Sequence, residues 1–294
     1  MRGKVNFEEA FELPSLAESS RTQASKFIAP ADLDRQMDHI KDQTILRLQE
    51  ITDHGIGYTI HSHTVLGVQE ISDKSEAEEH ASHRVGAFGA LSMHDPVQAA
   101  GELKRCVKKY GFHGALVNNF QHSDEGGETY LFYDQLDYDK FRQKCVELDA
   151  PLYLHPSAPT GRYYEQMYAQ RRFLVGPPLS FANDVSLHLL GLITNGVFDQ
   201  FPDLKLIDVE RPLAEENGDV MCTRDIYHYF KRNIWVTTSG HFSTEAVGFV
   251  RGYLGAGRIM FSVDTPYERI SAGMVRRENA KRLFRLGKYP DCDA

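Results

Sequence analysis

Strand-like apolar runs alternate with helical patterns about eight times along 294 residues. This alternation predicts an α/β chain built on a parallel sheet. The runs are short and rich in Val, Ile and Leu, as strands buried on both faces should be. Eight strand–helix units in one chain predict a (β/α)₈ barrel, whose functional groups gather at the C-terminal ends of the strands. A doubly wound open sheet ranks second, because no Gly-rich phosphate turn follows the first strand. Neither an internal repeat, a low-complexity tract nor a linker interrupts the pattern, so residues 1–294 are expected to form a single domain.

The elements follow in order. Strand one covers residues 4–7, with Glu8 at its tip, and a polar loop occupies 14–30. Asp32 can cap a helix to about residue 54, since Leu33, Met37, Ile40, Ile45, Leu48 and Ile51 keep a 3.6-residue period. Strand two is 57–64, and the acidic stretch 70–83 has room for about three helical turns. Strand three is 85–92. Asp95 and Pro96 then open a helix that ends at Gly111. Strand four, 114–119, is followed by a charged loop and a helix over 138–148. Strand five runs from 150 to His155, where Pro156 stops it. A polar, aromatic loop over 157–178 leads to an apolar helix from Ser180 or Asn183 to about 201. Strand six is 204–207, a helix takes 223–232, and strand seven is 234–239. Ser243 caps a helix to Leu254, strand eight is 259–263, and a last helix spans about 273–286.

Composition narrows the partners. The chain is 41% hydrophobic and 25% charged, with a net charge of −8. That acidity speaks against a nucleic-acid groove or an anionic membrane surface. No window approaches the run of about 18 apolar residues that a membrane span needs. The N-terminus lacks the basic-then-apolar order of a signal peptide. Cys106, Cys145, Cys222 and Cys292 are widely spaced, and the first two lie in helical patterns, where buried free thiols are expected. A cytoplasmic location follows.

Glu8, His155 and Asp264 each sit at a strand tip on strands one, five and eight. One His and two carboxylates at one barrel face suit a divalent metal with open positions, and they leave Zn²⁺, Mn²⁺ and Mg²⁺ equally open. The alternative is three unrelated strand-end residues that cap helices or satisfy backbone groups. Strands one and eight are neighbours in a closed barrel, which would bring Glu8 towards Asp264. His61-Ser62-His63 has a ligand-like spacing, but lining the barrel mouth is the stronger expectation for it. His94 and His241 follow strands three and seven and are candidates for touching substrate. His188 lies on an apolar helix face, either as a core histidine or with its ring towards the pocket. No Gly-x-Ser-x-Gly elbow occurs, and no Cys stands beside a strand-end His, so nucleophilic hydrolysis is poorly supported.

Seven segments together resemble a known family. They are Phe7-Glu8-Glu9-Ala10-Phe11, Gly86-Ala-Phe-Gly-Ala-Leu-Ser-Met-His-Asp95, Gly114-Ala-Leu-Val-Asn118, Tyr153-Leu-His155-Pro156, Gly176-Pro-Pro-Leu-Ser-Phe-Ala182, Thr237-Thr-Ser-Gly-His-Phe-Ser243 and Phe261-Ser-Val-Asp264. They are similar to the amidohydrolase-related, metal-dependent aromatic acid decarboxylases, in particular the fungal branch of 2,3-dihydroxybenzoate, γ-resorcylate, salicylate and orsellinate decarboxylases. The resemblance implies a (β/α)₈ barrel of the metal-dependent hydrolase type. It implies one divalent ion (Zn²⁺, Mn²⁺ or Mg²⁺) on Glu8, His155 and Asp264, and no organic cofactor. Ala10 stands where the wider superfamily carries a further metal histidine. The implied reaction is non-oxidative decarboxylation of a small ortho-hydroxybenzoic acid, with the metal-binding Asp264 or the family's histidine after strand six as the catalytic proton carrier. A homodimer or homotetramer is implied, serving secondary metabolism or aromatic catabolism. The chain departs from the family in shortened segments after strands two, six and eight. After strand six, Leu206-Ile207 runs into Asp208-Val209-Glu210-Arg211-Pro212, without the family's Gly-His-x-Gly-Glu. A catalytically weak member that binds metal or a phenol without turnover is therefore the competing expectation.

Overall fold

A computed structural model describes residues 4–12, 30–42, 56–63, 88–123, 129–208, 221–239 and 243–262, with single positions at 16, 18, 21, 22, 25, 49, 53 and 264. The expected last helix, the acidic stretch 70–83, residues 209–212 and His241 lie outside the described residues.

Parallel strands dominate. β1 (Lys4–Phe11) pairs with β2 (Ile56–His63). A six-stranded parallel sheet holds β3 (Phe88–Ala90), β4 (Gly114–Asn118), β7 (Leu152–His155), β8 (Leu206–Asp208), β9 (Ile234–Thr237) and β10 (Ile259–Met260), adjacent in that order. The helices between them are α1 (Pro30–Lys41), α2 (Pro96–Tyr110), α3 (Asp139–Glu147), α4 (Gly161–Met167), α5 (Ser180–Thr194), α6 (Val197–Gln200), α7 (Ile226–Asn233) and α8 (Thr244–Leu254). A two-stranded antiparallel hairpin, β5 (Gln121–His122) and β6 (Tyr130–Leu131), rises after β4.

Two apolar layers show how the strands are arranged. Val5, Ile60, Phe88, Leu116, Tyr153, Ile207 and Met260 pack together, with Trp235 against them. That is one residue from each of β1, β2, β3, β4, β7, β8, β9 and β10, which is an interior layer of a barrel. Their neighbours one position away, such as Ala115, Val117, Leu152, Leu154, Leu206, Ile234 and Val236, join the helices' Leu103, Phe141, Val185, Leu189 and Phe230 in the second core. Side chains alternate along a strand, so both faces are apolar and the strands read as unbroken apolar runs. At the N-terminal end of the barrel, Arg258 lies 3.9 Å over the Trp235 ring and Tyr58 bonds His113 at 2.9 Å.

Caps act where their residues stand. The Asp95 carboxylate accepts from the N–H groups of Val97 and Gln98 at 2.9 and 3.2 Å, and Gly111 ends α2 in the left-handed region. Ser243 and Asp225 cap α8 and α7 in the same way. Three expectations are corrected. α1 stops at Lys41 instead of running on to about 54. Asp42 follows outside the helix, and of the later residues to 54 only Gln49 and Asp53 are described, both helical. Gly196, at φ 72°, breaks the long apolar helix into α5 and α6. The loop over 157–178 contains α4.

Candidate active site

The interior layer turns polar one step higher. Moving two residues along β2, β4, β7 and β9 leads from Ile60 to Ser62, from Leu116 to Asn118, from Tyr153 to His155 and from Trp235 to Thr237. Period-two alternation aims these side chains at the barrel axis on its C-terminal side. An apolar floor with Phe88, Tyr153 and Trp235 thus lies under a polar mouth.

His155 is the last residue of β7, as the sequence predicts, and Asn118 of β4 is registered against it. Its Nδ1 lies 2.8 Å from the Pro156 carbonyl oxygen. A carbonyl only accepts, so Nδ1 carries the proton and Nε2 carries the lone pair. Desolvation pushes the ring down to about 4, offset in part by that carbonyl, although the residue as a whole is only partly buried. At neutral pH the imidazole is therefore uncharged, the form that binds a metal.

The other expected residues are less uniform. Glu8 is not at a strand tip, because β1 continues to Phe11. Phe7 pairs with Ile60 and Glu9 with His61, which leaves Glu8 as the extra residue of a bulge. Bulges next to active sites re-aim side chains and are common there. Asp264 lies four residues past β10 with φ 67°, one of two non-Gly residues with positive φ among those described. Asp tolerates this region better than most residues, and such geometry concentrates at functional sites. No ladder joins β10 to β1 among the described residues, so the expected approach of Glu8 to Asp264 is not part of the described pairing. Among the described side chains, no three His, Cys, Asp or Glu converge as a metal cluster. His94 follows β3 in a firmly held turn, partly exposed. On one side of it the Met93 N–H donates to Gln121 Oε1 at 3.0 Å, and the Met93 carbonyl accepts from Tyr138.

His188 departs from the substrate-facing role expected of it. Its Nδ1 donates to the Asn119 carbonyl and its Nε2 accepts from the Tyr133 N–H at 3.0 Å. Both ring nitrogens are thereby engaged with backbone, and burial pushes its pKa down to about 4. His63 is likewise engaged, with Nε2 2.8 Å from Glu12 in a fully buried pair between the ends of β1 and β2. Nucleophilic chemistry finds no support among the described cysteines: desolvation pushes the Cys106 and Cys145 thiols up to about 12.

Sequence reasoning missed the amides. Asn119 and Gln121 brace the loops around the mouth through Ser157 and Met93. Their signal is legible afterwards: an apolar strand ends in Asn118-Asn119-Phe120-Gln121, a cluster of hydrogen-bonding side chains where buried loop backbone needs partners. Phe120, His122, Tyr130 and Phe132 then pack edge-to-face or tilted on the hairpin after β4, with Phe120 and Tyr130 ring centroids 4.5 Å apart.

Known proteins share this frame. The amidohydrolase family model matches residues 69–285. γ-Resorcylate decarboxylase of Rhizobium sp. is 33% identical over 332 aligned positions, covering 97% of this chain and 99% of that protein. The alignment exceeds the 294 residues of the chain, so at least 38 of its positions (332 against 294) have no residue here. A crystal structure of 2,6-dihydroxybenzoate decarboxylase complexed with 2,6-dihydroxybenzoate superposes with a TM-score of 0.87 at 32% identity, over 97% of this chain and 100% of that one. A dihydroxybenzoic acid decarboxylase from Polaromonas sp., with bound manganese and the inhibitor 2-nitroresorcinol, gives 0.86 at 30% identity, over 98% of each chain. The chain belongs to the amidohydrolase family and stands within it among the hydroxybenzoate decarboxylases.

Proposed function

We propose that this single-domain protein is a metal-dependent, non-oxidative decarboxylase of an ortho-hydroxybenzoic acid of the resorcylic, orsellinic, dihydroxybenzoic or salicylic type. The observation that carries the reading is His155, a neutral imidazole with its proton fixed on Nδ1, at the inward-facing tip of β7. Such a donor fits a divalent cation, and Glu8 and Asp264 are the carboxylates that would complete the set. Bound there, the ion (Mn²⁺, Zn²⁺ or Mg²⁺) would hold the substrate's carboxylate and ortho-hydroxyl and offset charge that builds up in the ring.

The chain's own residues do the rest. Phe88, Tyr153 and Trp235 form a floor that accepts a flat ring and excludes water. Asp264 carries the proton to the ring carbon that bears the carboxylate. The electron pair of the bond to the carboxyl carbon then returns to the ring, CO₂ departs, and Asp264 regains a proton from water. His94, which follows β3, and His241, which follows β9 in the sequence, would fix the substrate's remaining oxygens. The acidic surface and the buried free thiols of Cys106 and Cys145 suit a cytoplasmic enzyme. A homodimer or homotetramer would cover exposed apolar side chains such as Phe173, now 92% exposed. No helix among the described residues is long and apolar enough to cross a membrane.

A second reading is a weak family member that binds the acid without turnover. The positions missing from the alignment and the run Asp208-Val209-Glu210 in place of Gly-His-x-Gly-Glu favour it. Loss of a positioned proton carrier costs about 10²–10⁴ in rate. Metal content and CO₂ release, measured with γ-resorcylate, 2,3-dihydroxybenzoate, salicylate and orsellinate, decide between the two. About one Mn²⁺ per chain with CO₂ release supports the decarboxylase. Metal without CO₂ supports the second reading; absence of metal in a folded chain overturns the decarboxylase, and overturns the second reading as well if γ-resorcylate does not bind.

A further inference from the structure

The peptide joining Pro156 to Ser157 is held from both sides. Its carbonyl oxygen accepts from Nδ1 of His155 at 2.8 Å. Its N–H donates to Oδ1 of Asn119 at 2.9 Å in a buried contact. A peptide is planar, so its C=O and N–H turn together. A rotation that released Ser157 from Asn119 would swing the Pro156 oxygen away from His155. Donation from the N–H also polarises the carbonyl and strengthens the bond it accepts. Asn119 cannot drift, because its own carbonyl accepts from His188, whose other nitrogen accepts from Tyr133. Asn119, Ser157 and His188 are all buried.

We infer that Asn119 is a positioning residue that, through the Pro156–Ser157 peptide, holds His155 in the Nδ1–H tautomer and so presents Nε2 as its metal-binding nitrogen. The inference rests on the reading of His155 as a metal ligand. Hydrogen bonds to the far nitrogen of a ligating histidine set its tautomer and orientation, and their loss typically weakens metal affinity about 10–100-fold. Here the control sits one shell further out, on a main-chain amide rather than on the ring. Asn119 Nδ2 is buried without a hydrogen-bond partner. Only the oxygen is used, and an aspartate can supply that oxygen.

The test uses metal-free and Mn²⁺-titrated full chain, native and with N119A, N119S and N119D. Histidine ¹⁵N shifts report the tautomer, with His155 assigned by its loss in H155Q. Circular dichroism checks folding, and N119S, whose hydroxyl is too short to span the gap, stands in if N119A does not fold. The native chain and N119D should show His155 protonated on Nδ1. N119A and N119S should show a mixture of tautomers and a Mn²⁺ affinity about 10–100-fold weaker, with N119D close to native. A folded N119A or N119S that keeps the Nδ1–H tautomer overturns the inference, as does an N119D variant as impaired as N119A. A native chain that binds no Mn²⁺ overturns the metal reading alone, since the metal-free tautomer comparison still decides the role of Asn119.

Discussion

His188 meets two opposite demands with one ring. The Asn119 carbonyl needs a donor and the Tyr133 N–H needs an acceptor, so only the neutral Nδ1–H form satisfies both. Burial holds its folded pKa near 4, against about 6.5 in an unfolded chain. A histidine pKa lowered by folding means that the unfolded state takes up the proton first as pH falls. Its contribution is therefore complete above about 6.5 and is lost progressively towards 4. The native chain should lose stability between pH 7 and pH 5, and H188Q, which can still donate and accept but does not titrate, should lose less over that interval. Urea melts at the two pH values measure the difference, and equal losses would show that His188 does not titrate this way. H188L should cost on the order of 3 kcal/mol at pH 7, because it strands two buried backbone groups. The apolar period placed His188 correctly on a buried helix face. Its partners lie 55 and 69 residues away, on loops that no local pattern connects to it.

At the scale of elements, local signals were legible and long-range ones were not. Asp95-Pro96 announces the start of α2 because the capping chemistry lies within four residues, and the carboxylate does accept from Val97 and Gln98. D95A should therefore cost about 1 kcal/mol, read as a lower urea midpoint with unchanged Mn²⁺ affinity. β1 extends past Glu8-Glu9 because its partner β2, about fifty residues on, offers a ladder as far as His63. Two acids alone look like a strand end, and neither the bulge at Glu8 nor the pairing of Glu12 with His63 follows from the local sequence. The β5–β6 hairpin was hidden for the same reason: two-residue strands have no period to detect. Gly114 shows how closely such ladders are built. A Cβ there would run into the main-chain carbonyl of Pro151, which cannot move without shifting the whole β4–β7 pair. G114A should destabilise the chain by about 3 kcal/mol or more, at the upper end of overpacking, and a thermal melt close to native would show that the pair can slide.

On the scale of the whole molecule, the described ladders leave β1–β2 and the six-stranded sheet as separate pieces that share one interior layer. β2 packs beside β3, and the opposite edges of the two pieces are β1 and β10. The proposed ligands stand on β1, at the tip of β7 and just past β10, so cation binding would tie the two pieces across that second seam. Closing a barrel this way makes metal affinity part of folding stability. Mn²⁺ at about 100 times its dissociation constant should add about 2.7 kcal/mol. For a chain of 294 residues that corresponds to a rise of roughly 4–5 °C in Tm. EDTA should reverse the rise and H155Q should abolish it. Amide exchange should slow in β1 and β10 more than in α2 or α3, which the seam does not touch. A rise in Tm with uniform slowing would place the cation elsewhere, since a site that bridges first and last strands must protect those strands first.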